Sequence, residues 1–342
     1  MNKKIMIVVY GGFLRGMGHV VRMKRLAKEL LQEGNDLYFY TNDQICVEML
    51  SHPEWHVQMV HESNALLQIQ QDIKKLKPDL LVIDVLDCDL QFLQTIKDSC
   101  DSARLVLFEE KREEACQLAD TVINGIYGGL DGKHEQVNGT AYYHGTPYLL
   151  LDHEINRFKD TYEVRKECKK VVISLGGSDP CGLLSKAVSA LLQTNHLDIL
   201  AVAGKASHIK EQVEAEHIQF IQHTDQLPVL LSEADVAIVA GGMTLYEVIC
   251  IGVPSIVLSQ VDHQAVTASM FAQKGACFHL GLGDLVEEKD LLQAVQKLSD
   301  SYFLRRSIHL NGRSLIDGKG IERVKNILIH LMNSHQKEHK DV

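Results

Sequence analysis

The sequence lacks most of the short motifs that mark common enzyme classes. It has no G-x-x-x-x-G-K-[ST] phosphate loop and no G-x-S-x-G nucleophile elbow, which argues against P-loop nucleotidases and α/β-hydrolases. Its first glycine-rich turn does not fit G-x-G-x-x-G, so a dinucleotide fingerprint is not supported. The 17 histidines are scattered, and none forms an H-x-x-x-H pair with a carboxylate partner on a clear helix. We therefore expect neither a metal nor a cofactor.

Other absences concern the environment of the chain. The eight cysteines form no C-x-x-C pair, which is typical of reduced and mostly buried thiols in a cytoplasmic protein. The apolar runs are shorter than the roughly 20 residues that a membrane span needs. The basic and then apolar start of the chain is too short for a signal peptide and predicts a first β-strand. Membrane association is not expected, and the oligomeric state is left open.

The charge balance argues against a nucleic-acid partner. The chain has 35 lysines and arginines against 45 aspartates and glutamates, a formal charge of −10, and no basic stripe. Small anions are a separate matter, because the N-terminus of a helix can bind a phosphate without net positive charge nearby.

Length and patterning predict an α/β protein with two domains. The 342 residues are 45% hydrophobic, enough for two cores. Short apolar runs alternate with amphipathic helical stretches, which indicates parallel sheets covered on both faces. The predicted strands span residues 5–10, 36–40, 80–83, 104–108 and 121–124, then 171–175, 198–203, 219–221, 236–239 and 255–258. The expected architecture is two Rossmann-like domains whose parallel sheets face an interdomain cleft.

The domain limits follow from changes in composition. Residues 1–151 form the predicted N-terminal Rossmann-like domain, and the charged, strand-poor stretch 152–169 is the predicted linker. Residues 170–320 form the predicted C-terminal, nucleotide-binding domain. An amphipathic helix over 321–334 and a polar tail over 335–342 complete the chain.

The first candidate site is the turn after the first strand. Gly16 and Gly18 allow the backbone to approach a substrate closely, and His19 and Arg22 follow at the start of a predicted helix over 19–32. Arg22 is predicted to contact the substrate. The helix dipole disfavours an imidazolium at this end, so we expect His19 to have a lowered pKa and to serve as a general base. A glycine turn with a capping histidine is the equally weighted alternative.

Two further glycine turns follow strands of the second half. Gly176, Gly177 and Ser178 predict a phosphate or sugar contact, compatible with an N-cap by Ser178 or Asp179. The remaining candidates suggest a nucleoside diphosphate pocket. Backbone N–H groups at Gly241 and Gly242 would hold the diphosphate, with Thr244 adding a hydroxyl, and the carboxylate of Glu247 would hold the ribose diol. The amide of Gln264 would contact the sugar or base, and Gly204 and Lys205 would flank the base. The letters Asp87-Cys88-Asp89 are interpreted as a helix cap rather than a metal-binding D-x-D.

These motifs together resemble the PseG/SpsG family of UDP-sugar hydrolases and spore coat polysaccharide biosynthesis proteins. G-M-G-H-V-V-R at residues 16–22 resembles the family's G-x-G-H-x-x-R, and L-G-G-S-D-P at 175–180 resembles its F-G-G-S-D-P. The segment 241–247 and Gln264 resemble the nucleotide-binding segment shared with MurG-type glycosyltransferases. Where the family has Asp-x-Tyr after the fourth strand, this chain has Asp84-Val85-Leu86, with Tyr127 as a candidate replacement for the lost hydroxyl.

The resemblance implies a GT-B fold and a UDP-sugar substrate. It implies that His19 assists attack of water at the anomeric carbon, releasing UDP and a free amino-deoxy sugar for nonulosonate (pseudaminic-acid-type) or surface polysaccharide synthesis. Two alternatives stay open: a MurG-like glycosyltransferase that uses the same pocket, and a non-catalytic UDP-sugar-binding subunit.

Overall fold

The structure is a computed structural model, and it describes residues 2–13, 15–61, 63–86, 88–100, 102–126, 132–204 and 215–338, with only the backbone of 335–338. The chain divides into two compact units, one formed by residues 1–152 with 319–342 and the other by 153–318. Both are α/β units, and each is described by itself below.

The first unit is built on an eight-stranded sheet. Its strands are β1 (Lys4–Val9), β2 (Asp36–Thr41), β3 (His56–Met59), β4 (Leu80–Asp84), β5 (Arg104–Phe108), β6 (Thr121–Asn124), β7 (Lys133–Val137) and β8 (Thr140–His144). Its first helices are α1 (Gly18–Gln32), α2 (Gln44–Leu50), α3 (Ala65–Leu76), α4 (Leu90–Asp98) and α5 (Glu113–Cys116), and a 3₁₀ turn follows at Thr146–Tyr148. The strand order is β3-β2-β1-β4-β5-β6-β8-β7, parallel except for β7.

The second unit repeats this plan with six strands. They are β9 (Lys170–Ser174), β10 (Asp198–Ala203), β11 (Ile218–Gln222), β12 (Val236–Val239), β13 (Ser255–Ser259) and β14 (Phe278–Leu282). Its helices are α6 (His153–Thr161), α7 (Leu183–Leu191), α8 (Leu227–Ser232), α9 (Met243–Ile251), α10 (Asp262–Gln273), α11 (Glu288–Asp300) and α12 (Tyr302–Leu315). Every strand pair is parallel, in the order β11-β10-β9-β12-β13-β14.

Both sheets share the strand order of a doubly wound Rossmann fold, 3-2-1-4-5-6, along their first six strands. In such sheets helices cover both faces, so the inner strands are continuous apolar runs rather than alternating ones. In β1, Ile5 to Val9 are all buried, and α1 covers one face of the sheet with Val20, Met23 and Leu26. The α/β class and the two parallel sheets predicted from the sequence are confirmed.

Three features differ from the sequence-based prediction. The first sheet ends in an antiparallel hairpin, β7–β8, which was not predicted because β7 is exposed along its whole length and carries no apolar run. The exposed edge strand β3 was missed for the same reason. The partly buried edge strand β14 was also missed.

The predicted linker and tail also differ from the structure. Residues 153–161 of the linker form α6, which belongs to the second unit, packs on α9 and buries Ile155. Tyr162, which follows α6, is buried, and its hydroxyl donates a hydrogen bond to the Ala234 carbonyl, 3.0 Å away. The last helix, α13 (Gly320–Glu338), belongs to the first unit and continues four residues into the predicted polar tail. The helical periodicity of α6 was missed because most of its residues are charged or polar.

None of the helices in the described part of the chain is both long and apolar enough to cross a bilayer.

Candidate active site

The first candidate site lies where the strand order of the first sheet reverses. Strands β1 and β4 are neighbours there, and Val9 at the end of β1 is in register with Asp84 at the end of β4. Ligands of such sheets bind in the crevice outside the carboxyl ends of the strands at this point. The loop from β1 to α1 is compact, since Gly12 N–H bonds to the Gly16 carbonyl and both glycines have positive φ.

The side chain of Asn42 fixes the start of this loop. Its amide oxygen accepts from Gly11 N–H at 2.9 Å, and its amide nitrogen donates to the Gly11 carbonyl at 3.0 Å. A Cβ on Gly11 would lie 2.7 Å from a methyl group of Val20, so glycine is required by packing here. Gly18 is the first residue of α1, and His19 follows in its first turn.

His19 faces a buried carboxylate. Its Nδ1 lies 2.7 Å from Oδ1 of Asp84, whose side chain is fully buried, while 14% of the His19 side chain is exposed. An unprotonated Nδ1 at that distance would set two lone pairs against each other. Arg22 Nη2 also lies 2.9 Å from His19 Nδ1, but it is a donor to the same Asp84 oxygen. We therefore assign the ring proton to Nδ1, which donates to Asp84 and leaves Nε2 as the second ring nitrogen for chemistry. The sequence analysis did not predict this partner.

Arg22 lies one turn further along α1 and joins the same carboxylate. Its Nε donates to Asp84 Oδ2 at 2.7 Å, its Nη2 contacts Asp84 Oδ1, and its Nη1 contacts Oε1 of Glu109. Burial opposes the charge on both partners, but their attraction outweighs it: the pKa of Asp84 is held well below its usual range and that of Arg22 is raised. The cluster of His19, Asp84, Arg22 and Glu109 is called the dyad cluster below.

This geometry changes the interpretation of Arg22. Arg22 was predicted to contact the substrate, but its side chain is 3% exposed and its guanidinium is paired with two carboxylates. Asp84 and Glu109 were not among the predicted site residues. A signal was present, because each carboxylate ends or directly follows an apolar run that forms a buried strand, where charge is costly unless it is paired.

In the second unit, Gly176, Gly177 and Ser178 follow β9. Gly204, at the end of β10, is packed so closely against this loop that a Cβ would fall on the carbonyl oxygens of Gly176 and Gly177. The N-terminus of α7 is already capped, since the carboxylate of Asp179 accepts from Leu183 N–H at 2.9 Å and Leu184 N–H at 2.8 Å. The N-cap residue of α7 is Gly182 and not Ser178 or Asp179, but the predicted Asp179 side chain does satisfy the first N–H groups of the helix.

The third glycine turn precedes α9. Gly242 is the N-cap residue of this helix and has no side chain to cap it. A Cβ on Gly241 would lie 2.7 Å from the Cβ of Gln264, whereas the nearest atom to a Cβ on Gly242 would be Gln264 Nε2 at 3.7 Å. The oxygen of the Gln264 amide accepts from Gln260 N–H at 3.0 Å. The structure thus brings Gly241, Gly242 and Gln264 together.

Two predicted ligands of this turn are more buried than the sequence suggests. Thr244 is 9% exposed and Glu247 is 3% exposed, within a helix that is buried from Thr244 to Ile251. Glu247 is therefore not a surface carboxylate that only the helix dipole stabilises.

Several predicted features lie at the limits of the described residues. Asp87, Tyr127 and Lys205 fall outside them. Asp89 caps α4 by accepting from Phe92 N–H at 3.0 Å, as predicted. Among the residues that the structure describes, no group of three or more His, Cys, Asp or Glu side chains is arranged to hold a metal ion.

Comparison with known proteins matches both units. Residues 171–302 match the glycosyltransferase family 28 C-terminal domain. The structure superposes on MurG of Acinetobacter baumannii with a TM-score of 0.66 and 16% identity, covering 95% of this chain and 99% of that one. Together with the two doubly wound sheets, this defines a protein with the GT-B fold.

The sequence comparison narrows the class to one family. The chain is 42% identical over 326 residues to the spore coat polysaccharide biosynthesis protein SpsG of Bacillus subtilis, covering 93% of this chain and 95% of that protein. It therefore belongs to the SpsG family. It is also 24% identical over 218 residues to a Helicobacter pylori protein named as a pseudaminic acid cytidylyltransferase and UDP-2,4-diacetamido-2,4,6-trideoxy-beta-L-altropyranose hydrolase, covering 60% of this chain and 41% of that protein.

Proposed function

We propose that this protein hydrolyses a UDP-sugar, with His19 as general base. The observation that carries the proposal is the pairing of His19 Nδ1 with the buried Asp84 carboxylate at the switch point of the first sheet. This is the arrangement by which an aspartate fixes the tautomer of a catalytic histidine and stabilises the imidazolium that forms during reaction.

The reaction follows from this tautomer. Nε2 of His19 accepts a proton from water while the water oxygen attacks the anomeric carbon of the sugar. The bond from that carbon to the diphosphate oxygen breaks, and its electron pair leaves with UDP. The products are UDP and the free sugar, and the imidazolium returns its proton to solvent. Gly16 and Gly18 shape the loop through which the sugar approaches the ring.

The second unit is proposed to hold UDP. The uncapped N-terminus of α9 at Gly241 and Gly242 offers backbone N–H groups to the diphosphate, which stabilise the charge on the leaving group. Asp179 already occupies the start of α7, so we assign the diphosphate to α9 and leave Gly176, Gly177, Ser178 and Gly204 as a wall of the pocket.

Side chains around α9 complete the proposed nucleotide site. We assign the ribose diol to Glu247, which lies one turn into α9 from the glycine turn, and a phosphate or hydroxyl contact to Thr244. The Gln264 amide nitrogen, aimed at Gly242, is assigned to the sugar or the diphosphate. A cleft between the two domains as the place of reaction stays a prediction.

The sugar is proposed to be an amino-deoxy sugar used in nonulosonate or surface polysaccharide synthesis, spore coat polysaccharide included. The support comes from the activity for which the Helicobacter pylori relative is named and from the role for which the Bacillus subtilis relative is named. A cytoplasmic location would fit this role.

A glycosyltransferase is the second candidate. The family 28 domain match and the likeness to MurG favour it, and the same Nε2 atom would deprotonate an acceptor hydroxyl in place of water. The two activities differ in their need for an acceptor and in the fate of the sugar.

The test supplies a panel of UDP-sugars, among them UDP-2,4-diacetamido-trideoxyhexoses and UDP-N-acetylglucosamine, with water as the sole acceptor. Hydrolysis predicts one free sugar for each UDP released. Binding of UDP without release from any member would contradict hydrolysis and favour a transferase that waits for its acceptor.

A further inference from the structure

Glu109 has an unusual backbone for a glutamate. It directly follows the buried strand β5, its N–H donates to the Ile123 carbonyl at 3.0 Å, and its φ is +57°. Residues with a Cβ seldom adopt this left-handed conformation, and where they do the surrounding structure holds them there, often at functional sites.

The left-handed turn directs the Glu109 side chain. Along β5, Val106 and Phe108 pack on the face covered by α1, while Leu105 and Leu107 pack on the opposite face. Continued alternation would place residue 109 on the face away from α1. The left-handed backbone breaks the alternation, and the carboxylate reaches Arg22 on α1 instead. The unusual φ and the ion pair thus occur in the same residue.

The charges of the dyad cluster explain what this contact does. Arg22 alone would cancel the charge of Asp84, since it holds both of its oxygens. Glu109 binds the remaining Nη1 of the guanidinium and adds a second negative charge. With His19 neutral, the described cluster of Asp84, Arg22 and Glu109 therefore has a net charge of −1 rather than zero.

We propose that Glu109 is a positioning residue for the His19 base. By engaging Arg22, it keeps negative charge in excess beside the imidazole, so that the ring accepts and holds a proton more readily. Only the expected effect on turnover rests on the proposed function, because protonation of His19 can be followed in the free protein.

The direct test is an NMR pH titration of the His19 ring in protein labelled at histidine. The His19 signal is assigned by its loss in a His19→Ala variant. Glu109→Gln keeps the shape and removes the charge, and we expect the titration midpoint of His19 to fall by roughly 0.5 pH unit. Glu110→Gln is the matched control, since the neighbouring Glu110 carboxylate pairs with Arg112 and not with Arg22. It should leave the midpoint unchanged.

An unchanged midpoint in Glu109→Gln, or an equal fall in Glu110→Gln, would overturn the proposal. If Glu109→Gln does not fold because the guanidinium of Arg22 loses its partner, Arg22→Gln is compared with Arg22→Gln/Glu109→Gln. Neither of these proteins contains the unpaired guanidinium. The proposal then requires that loss of the glutamate charge again lowers the midpoint, and equal midpoints overturn it.

Turnover provides the second readout. If the UDP-sugar is hydrolysed, Glu109→Gln should lower kcat by up to about threefold, because a general base weakened by roughly 0.5 pH unit loses at most that factor in rate. KM should change little, and the acidic limb of the pH–rate profile should move to lower pH. Glu109→Asp should recover part of the lost kcat, which a merely structural glutamate would not predict. Since the NMR titration needs no substrate, failure of the proposed function and failure of this inference are distinguishable.

Discussion

Replacing Asp84 by Asn tests the dyad cluster most severely. The carboxylate is fully buried and accepts from His19 Nδ1 and Arg22 Nε, both at 2.7 Å, and from Arg22 Nη2. Asparagine keeps the shape but offers one oxygen and one amide nitrogen. If the nitrogen faces Arg22 Nε, two donors meet. If it faces His19, it requires an unprotonated Nδ1, so the proton moves to Nε2 and the base is lost.

The substitution should lower both stability and turnover. Removing one partner of a buried ion pair costs about 3–5 kcal/mol, and we expect the lower end because Glu109 still neutralises Arg22. Turnover should fall by a factor of about 10²–10⁴, which is the contribution of a general base. UDP binding should be unchanged, because its proposed site lies in the other unit.

Urea unfolding and UDP-sugar turnover measure the two effects. The single tryptophan, Trp55, is buried in the first unit against Phe39, so its fluorescence reports the unfolding of the unit that holds Asp84. Asp98→Asn, an exposed site on α4 of the same unit, is the matched control and should shift stability by less than about 0.5 kcal/mol. Wild-type turnover and stability in Asp84→Asn would refute the role assigned to this carboxylate.

Three further predictions concern the pH dependence and the second unit. Because the pKa of Asp84 is lower in the folded state than in the unfolded state, its contribution to stability is complete above the unfolded-state pKa of about 3.9. The difference in stability between wild type and Asp84→Asn, measured by urea unfolding, should therefore stay constant until the pH falls below about 4. A smaller difference at pH 5 than at pH 7 would contradict this. Gly242→Ala has room for its Cβ, so it should keep the wild-type Tm, while its affinity for UDP, measured by calorimetry, should fall about tenfold, or about 1.4 kcal/mol. Gly241→Ala should lower the Tm, because its Cβ would lie 2.8 Å from the Gln264 carbonyl. Wild-type affinity for UDP in Gly242→Ala would contradict the assignment of the diphosphate to α9. Asp179→Ala should destabilise by about 1 kcal/mol in chemical unfolding followed by circular dichroism, and Asp179→Asn by less, because the carboxylate caps α7; equal losses would argue against a capping role.

Much of the fold was predictable because it depends on local pattern. Strands buried on both faces are continuous apolar runs, and β5, β6, β10 and β12 have the predicted limits. The exposed edge strands β3 and β7 were missed, since their pairing depends on a neighbour and not on their own composition.

The candidate site was only half predictable, for a related reason. The glycine turns and His19 are local features at the start of a helix. The partners of His19 and Arg22 are 65 and 87 residues away, at Asp84 and Glu109. They meet only because the strand order places β4 beside β1 and β5 beside β4. A single sequence shows that these carboxylates follow apolar runs, but not which strands are neighbours.

The most direct test of the central claim is UDP-sugar hydrolysis by His19→Ala in single-turnover experiments, with UDP binding measured on the same protein. His196→Ala, in an exposed turn of the second unit, is the control. We expect His19→Ala to bind UDP like the wild type and to release UDP and free sugar at least about 10²-fold more slowly. The control variant should bind UDP and turn over like the wild type. Wild-type turnover in His19→Ala would contradict it.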